Sequence, residues 1–217
     1  MRLPLLTLVA LLFTSLLSAA PERWAETIDR LTANDASQPP PKGGVVFVGS
    51  SSIVGWKTLK EDFPGEKVIA RGFGGSELAD SVYYADRVVI PYQPKAVVLY
   101  AGDNDIANRK TPEQVTKDFQ AFVAKVHSAL PQARIIYIAI KPSPSRWHLR
   151  EPAQQANEQI AALCAKDPKR LRYVDIWTPM LGANGEPRED LFVGDKLHMN
   201  RAGYELWTPL VAAALKQ

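Results

Sequence analysis

Cysteine is almost missing from this chain: Cys164 stands alone, so no internal disulfide can form and the fold must be held by its core. Cys164 falls in an apolar helical pattern with Ile160 and Leu163, which reads as a small core hydrophobe. Histidine is scarce as well. His127, His148 and His198 make up the full set of three, and they lack the spacing of a zinc site. Neither sign of charge dominates, with 26 Lys and Arg against 23 Asp and Glu interspersed along the sequence, which excludes the basic patch of a nucleic-acid binder. Internal repeats and low-complexity tracts are absent, and no long apolar lid lies between the strands.

Several familiar motifs are incomplete. Ile53 stands where a Gly-x-Ser-x-Gly nucleophile elbow needs its second glycine, which disfavours an ordinary α/β-hydrolase. Glu77 takes the place of the third glycine of a dinucleotide fingerprint after Gly72 and Gly74. Asp103-Asn104-Asp105 has no glycine three residues past Asp105 and no acid closing the loop, which argues against calcium.

What is present begins with Arg2, an apolar run from Leu3 to Leu17, and Ser18-Ala19-Ala20. Residues 1–20 read as a secretory signal peptide cleaved before Pro21, with the mature protein secreted or periplasmic. Thr7, Thr14 and Ser15 interrupt the run, and it is short for a membrane span. No cysteine follows the cleavage site to carry a lipid, so no stable membrane anchor is expected after processing. Residues 21–217 suffice for one α/β domain and are too few for two.

A short helix is expected between Pro21 and Asn34, then an extended connector through Pro39, Pro40 and Pro41. Val45 to Val48 is apolar and mostly β-branched, which suits a buried strand, and Gly49-Ser50-Ser51-Ser52 then turns the chain. Further strands are expected at Val68–Ala70, Ala96–Tyr100, Arg134–Ile140 and Arg172–Asp175. Between them fall helices from Ser76 onward, from Thr111 to Leu130 with a capping-box spacing and Pro112 at the first helical position, and from Pro152 to Lys166. Asn200 caps a last helix, Arg201 to Lys216. Five strands alternating with helices predict a parallel sheet covered on both faces.

The distinctive loops then fall on one sheet edge, the edge where ligands bind in open α/β folds. Ser51, two residues past Gly49, is the candidate nucleophile. A serine hydroxyl needs a base within hydrogen-bond reach, itself oriented by a third group. His198 suits the base and Asp195, three residues earlier, its partner. Gly75 lets a backbone amide approach an oxyanion closely, and Asn104 offers a side-chain amide. His148, in the loop Lys141–His148, is a second residue placed to touch substrate, whereas His127 lies inside a helix. Each piece taken singly also has a plain reading: a polar helix-capping turn at Gly49–Ser52, a tight turn at Gly74-Gly75, and a chance Asp-x-x-His.

Together the blocks Gly49-Ser50-Ser51, Gly72-Phe73-Gly74-Gly75, Gly102-Asp103-Asn104-Asp105 and Asp195-Lys196-Leu197-His198, in this order, resemble the SGNH (GDSL-type) hydrolases. The resemblance implies a flavodoxin-like three-layer α/β/α sandwich with a five-stranded parallel sheet of order 2-1-3-4-5, and no cofactor. It makes Ser51 the nucleophile, His198 the base and Asp195 its partner, with the Ser51 amide, Gly75 and Asn104 forming the oxyanion hole. Ser50 departs from the pattern, replacing the usual Asp before the nucleophile.

The expected activity is a serine carboxylic-ester hydrolase working through an acyl-enzyme on short-chain esters of a small-molecule or carbohydrate carrier. Polar loops carrying Arg71, Asp103, Arg146, Trp147 and His148 motivate the short acyl group and polar carrier. Alternatives are a lysophospholipase or thioesterase of the same fold, an acyltransferase, and a non-catalytic carbohydrate-binding protein stacking sugars on Trp56 and Trp147.

Overall fold

A computed structural model describes residues 21–216; the signal segment expected at 1–20 lies outside the described residues. A single 3-10 turn, Pro21–Trp24, leads into α1 (Ala25–Thr32). The strands are β1 (Val45–Gly49), β2 (Val68–Gly72), β3 (Ala96–Tyr100), β4 (Arg134–Ile138) and β5 (Leu171–Val174). All pairings are parallel and the order is β2-β1-β3-β4-β5. The helices after α1 are α2 (Ser51–Val54), α3 (Leu59–Asp62), α4 (Leu78–Val88), α5 (Asp103–Ala107), α6 (Pro112–Ala129), α7 (Arg150–Lys166) and α8 (Arg201–Lys216).

Alternation along the strands divides the interior into two layers. Val46, Val48, Val97, Leu99, Ile135 and Tyr137 pack with buried residues of α1, α4, α6 and α7. Val45, Phe47, Val98, Tyr100, Ile136 and Ile138 face the opposite way, onto the segment Ile53–Phe63 and α8. Every residue of β1 and β3 is buried, as required of central parallel strands covered on both sides. Burying one such side chain, Phe47 for instance, contributes about 1.5–3 kcal/mol. An aromatic body forms under the serine turn: Trp56 lies 5.2 Å from Tyr204, 6.0 Å from Trp207 and 6.0 Å from Phe47 between ring centroids. Trp207 is fully buried, so Trp207→Ala should cost about 3–5 kcal/mol.

The capping box expected before α6 is present, with Thr111 accepting from Gln114 N and Gln114 reaching back to Thr111 N. Asn200 Oδ1 likewise accepts from Gly203 N at the start of α8. Several boundaries differ from expectation. β2 runs on to Gly72 and β4 ends at Ile138. α4 starts at Leu78 because Glu77 and Asp80 form a capping box of their own there. Asp103-Asn104-Asp105, expected as loop, opens the short α5. Trp56 is 2% exposed, which removes it as a sugar platform. Arg71 is also withdrawn from the site edge: it pairs with Asp35 at 2.7 Å and stacks on Tyr92.

Candidate active site

The turn after β1 depends on a position that only glycine fits. Gly49 has φ +128°, and a Cβ there would stand 1.9 Å from the Tyr100 carbonyl oxygen. Without that Cβ, Ser50 N can donate to Tyr100 O at 2.9 Å, and the chain turns directly into α2 with Ser51 as its first residue. The Ser51 amide therefore has no acceptor within its own helix. Ser50 and Ser52 are buried, whereas Ser51 is half-buried.

Ser51 Oγ lies 3.0 Å from His198 Nε2. His198 Nδ1 lies 2.6 Å from Asp195 Oδ2, while Asp195 Oδ1 accepts from both Leu197 N and His198 N at 2.9 Å. The hydrogen bonds from the His198 ring and from these two amides hold the Asp195 carboxyl well below the ordinary carboxylate range. A carboxylate at Nδ1 fixes the imidazole proton on that nitrogen, so Nε2 faces the serine as an acceptor. Lys196, between them, has φ +56°, a left-handed conformation that costs a non-glycine residue roughly 1–2 kcal/mol. That strained residue closes the turn in which both amides reach one carboxylate oxygen.

The glycine turn packs against the serine. A Cβ on Gly74 would sit 3.7 Å from Ser51 Cβ, and Phe73 N donates to Gly49 O at 2.8 Å. Gly75 has φ +82°. Asn104 Nδ2 donates to Ser76 O at 3.0 Å, tying α5 to that turn. The loops carrying Ser51, Gly75 and Asn104 are thus drawn together beside the His198–Asp195 pair. His148 is exposed and takes no part in this hydrogen-bond series, and His127 is half-buried on α6, with Nε2 at 3.0 Å from Ala133 O.

Under the site lies a buried ionic cluster that the sequence did not reveal. Lys141 Nζ donates to Asp103 Oδ2 at 2.9 Å, to the Tyr100 hydroxyl at 3.0 Å and to Ser52 Oγ at 3.3 Å. Burial pushes the Asp103 carboxyl up, but Lys141 and Arg146 outweigh it and hold the group below its ordinary value. The only sequence signal was a lysine at the end of an apolar strand and before a proline, a place where side chains usually reach solvent. Asp105 is separately engaged, accepting from Leu78 N at 3.1 Å and from Lys110 Nζ at 3.0 Å. Both acids of the suspected cation loop are thus paired with lysines.

A three-layer sandwich with serine, histidine and aspartate in hydrogen-bond series at the carboxyl edge of its sheet has the geometry that nucleophilic acyl transfer requires. The chain matches the GDSL-like Lipase/Acylhydrolase family over residues 20–206 and belongs to that family. Its members are ester hydrolases, in line with the resemblance drawn from the four blocks. Platelet-activating factor acetylhydrolase IB subunit alpha1 of Rattus norvegicus is 28% identical over 197 residues, 88% of this chain and 80% of the relative. A GDSL-like lipase from Bacteroides thetaiotaomicron shares the fold with a TM-score of 0.72 at 23% identity, covering 87% of this chain and 97% of that one. A variant of an acetyl-xylooligosaccharide esterase from Geobacillus Stearmophilus does so with a TM-score of 0.63 at 14% identity, over 80% and 94% of the two chains.

Proposed function

We propose that this protein is an exported serine carboxylic-ester hydrolase that removes short acyl groups from a polar, carbohydrate-linked carrier. The observation that carries the catalytic part is the series Ser51 Oγ to His198 Nε2 at 3.0 Å and His198 Nδ1 to Asp195 Oδ2 at 2.6 Å. His198 takes the Ser51 proton as Oγ attacks the ester carbonyl, and Asp195 stabilises the imidazolium that forms. The tetrahedral oxyanion receives the Ser51 and Gly75 amides and the Asn104 side chain. Collapse expels the alcohol, which leaves with the proton from His198. Water then adds to the acyl-enzyme by the same route in reverse, releasing the acid.

Two relatives act on acetyl groups by name, a platelet-activating factor acetylhydrolase and an acetyl-xylooligosaccharide esterase, which supports a short acyl group. The second supports a carbohydrate carrier.

The test is labelling with a serine-reactive phosphonate followed by peptide mapping. A single adduct on Ser51 is expected. No adduct would leave a carbohydrate-binding protein without catalysis, and an adduct on Ser50 or Ser52 would overturn the assignment of the nucleophile.

A further inference from the structure

The Asn104 carboxamide is held in one of its two orientations by what surrounds it. Arg146 Nη2 donates to Asn104 Oδ1 at 3.1 Å, and Asn104 Nδ2 donates to Ser76 O at 3.0 Å. A guanidinium has donors and no acceptor, and a carbonyl oxygen only accepts. Flipping the amide would set NH₂ against the guanidinium and oxygen against oxygen. One Nδ2 hydrogen is spent on Ser76, and the other is free for a further acceptor.

Arg146 is itself fixed. Its Nη1 lies 3.3 Å from Asp103 Oδ2 as an ion pair, and Lys141 holds the same carboxylate oxygen. The backbone bends at Arg146, φ −115° and ψ 17°, inside the 3-10 segment Pro144–Leu149. The preceding residue is tied to the base loop, since Ser145 N donates to Lys196 O at 3.1 Å. Two cations around one carboxylate leave an excess of positive charge behind Asn104, on the side opposite in sign to a developing oxyanion.

We propose that Arg146 is a positioning residue for the oxyanion hole. It acts through Asn104, fixing the carboxamide with its free N–H available to the oxyanion and placing positive charge behind it. This inference rests on the reading of Ser51 as nucleophile and Asn104 as donor.

The experiment is a double-mutant cycle in the full chain, with Arg146→Gln, Arg146→Lys, Asn104→Ala and the Arg146→Gln/Asn104→Ala pair. Activity is measured on a small acetyl ester and scaled to the phosphonate-titratable fraction. Arg146→Gln should lower kcat roughly 10-fold or more with KM little changed, short of the about 10²–10³ for removing a donor outright. Arg146→Lys should recover part of that loss, since an ammonium can still donate to Oδ1. In the Asn104→Ala background the Arg146→Gln change should cost less than about 2-fold, because its effect is routed through the missing amide. A full additive loss in that background, a change confined to KM, or a kcat undiminished per titrated site would each overturn the proposal. A phosphonate adduct away from Ser51 would instead sink the underlying reading, and so the two failures are distinguishable.

Discussion

Ser51 Oγ and His198 Nε2 stand 3.0 Å apart although 147 positions separate them in the chain. Neither neighbouring serine shares that contact: Ser52 Oγ is turned toward Lys141, and Ser50 is buried with its hydroxyl unpartnered. Ser51→Ala should therefore lower kcat on a chromogenic acetyl ester by about 10⁴-fold or more. Ser50→Ala and Ser52→Ala should keep most of the activity. Ser52→Ala should also lower stability by about 1 kcal/mol, measured by thermal denaturation, because it takes one partner from a buried ammonium. Wild-type turnover by Ser51→Ala would refute the assignment.

Asp195 is a case where a nearly isosteric change should be severe. Its Oδ1 accepts two backbone amides, so an asparagine would keep its oxygen there and turn NH₂ toward His198 Nδ1. The imidazole would then carry its proton on Nε2 and could not accept one from Ser51. Asp195→Asn should keep the native melting temperature within a few degrees and lower kcat by up to about 10⁴. Because its hydrogen bonds hold the Asp195 carboxyl well below the ordinary range, Asp195 should stay charged and add no ionisation of its own to the acid limb of the wild-type kcat/KM profile. Two overlapping ionisations between pH 4 and 8 would contradict this.

Acyl preference is read from a series of acetyl, butyryl and octanoyl esters. The polar loops at this sheet edge and the absence of a long apolar lid between the strands lead us to expect kcat/KM to fall with length, by a factor of ten or so from acetyl to octanoyl, about 1.4 kcal/mol. An optimum at octanoyl would favour a lysophospholipase or thioesterase.

Acid stability should carry the signature of one ion pair. Arg201 grips Asp62 with Nη1 to Oδ2 at 2.6 Å and Nη2 to Oδ1 at 2.7 Å, and Trp56 Nε1 joins Oδ2 at 2.6 Å. The Arg201 hydrogen bond lowers the Asp62 carboxyl from its ordinary 3.8 to about 2. A depressed folded-state value means the contribution is present above pH 3.8 and is lost as the pH falls toward 2. Arg201→Met should melt below wild type at pH 7, with the gap closing between pH 4 and pH 2. A gap independent of pH would show that the pair is not its source.

Export rests on Arg2, the apolar run and Ser18-Ala19-Ala20, and we expect Edman sequencing of material recovered outside the cytoplasm to begin at Pro21. A chain retaining Met1 in the membrane fraction would reject cleavage.

The central strands were legible because burial on both faces leaves nothing but apolar, mostly branched residues, as in Val45–Val48 and Val97–Leu99. α6 was legible because Thr111, Pro112 and Gln114 encode its start locally. The Asp195–His198 turn could be read because its partners lie three residues apart. α5 was hidden because Gly102-Asp103-Asn104-Asp105 has the composition of a turn, and Asp103 is held by Lys141, 38 positions away. Arg146 was visible only as a loop residue, since its pairing with Asn104 spans 42 positions and has no local pattern.

The aromatic body beneath the serine turn has a mechanical consequence. Tyr204 on α8 donates its hydroxyl to Ser52 O at 3.0 Å, and a Cβ on Gly55 would meet that hydroxyl at 2.6 Å. The turn bearing Ser51 and the helix that follows His198 are therefore clamped to the same rings. Ser51 and the helix behind His198 thus share one part of the core, and we expect loss of activity on heating to track loss of that packing. Activity and near-ultraviolet tryptophan dichroism should vanish along one curve.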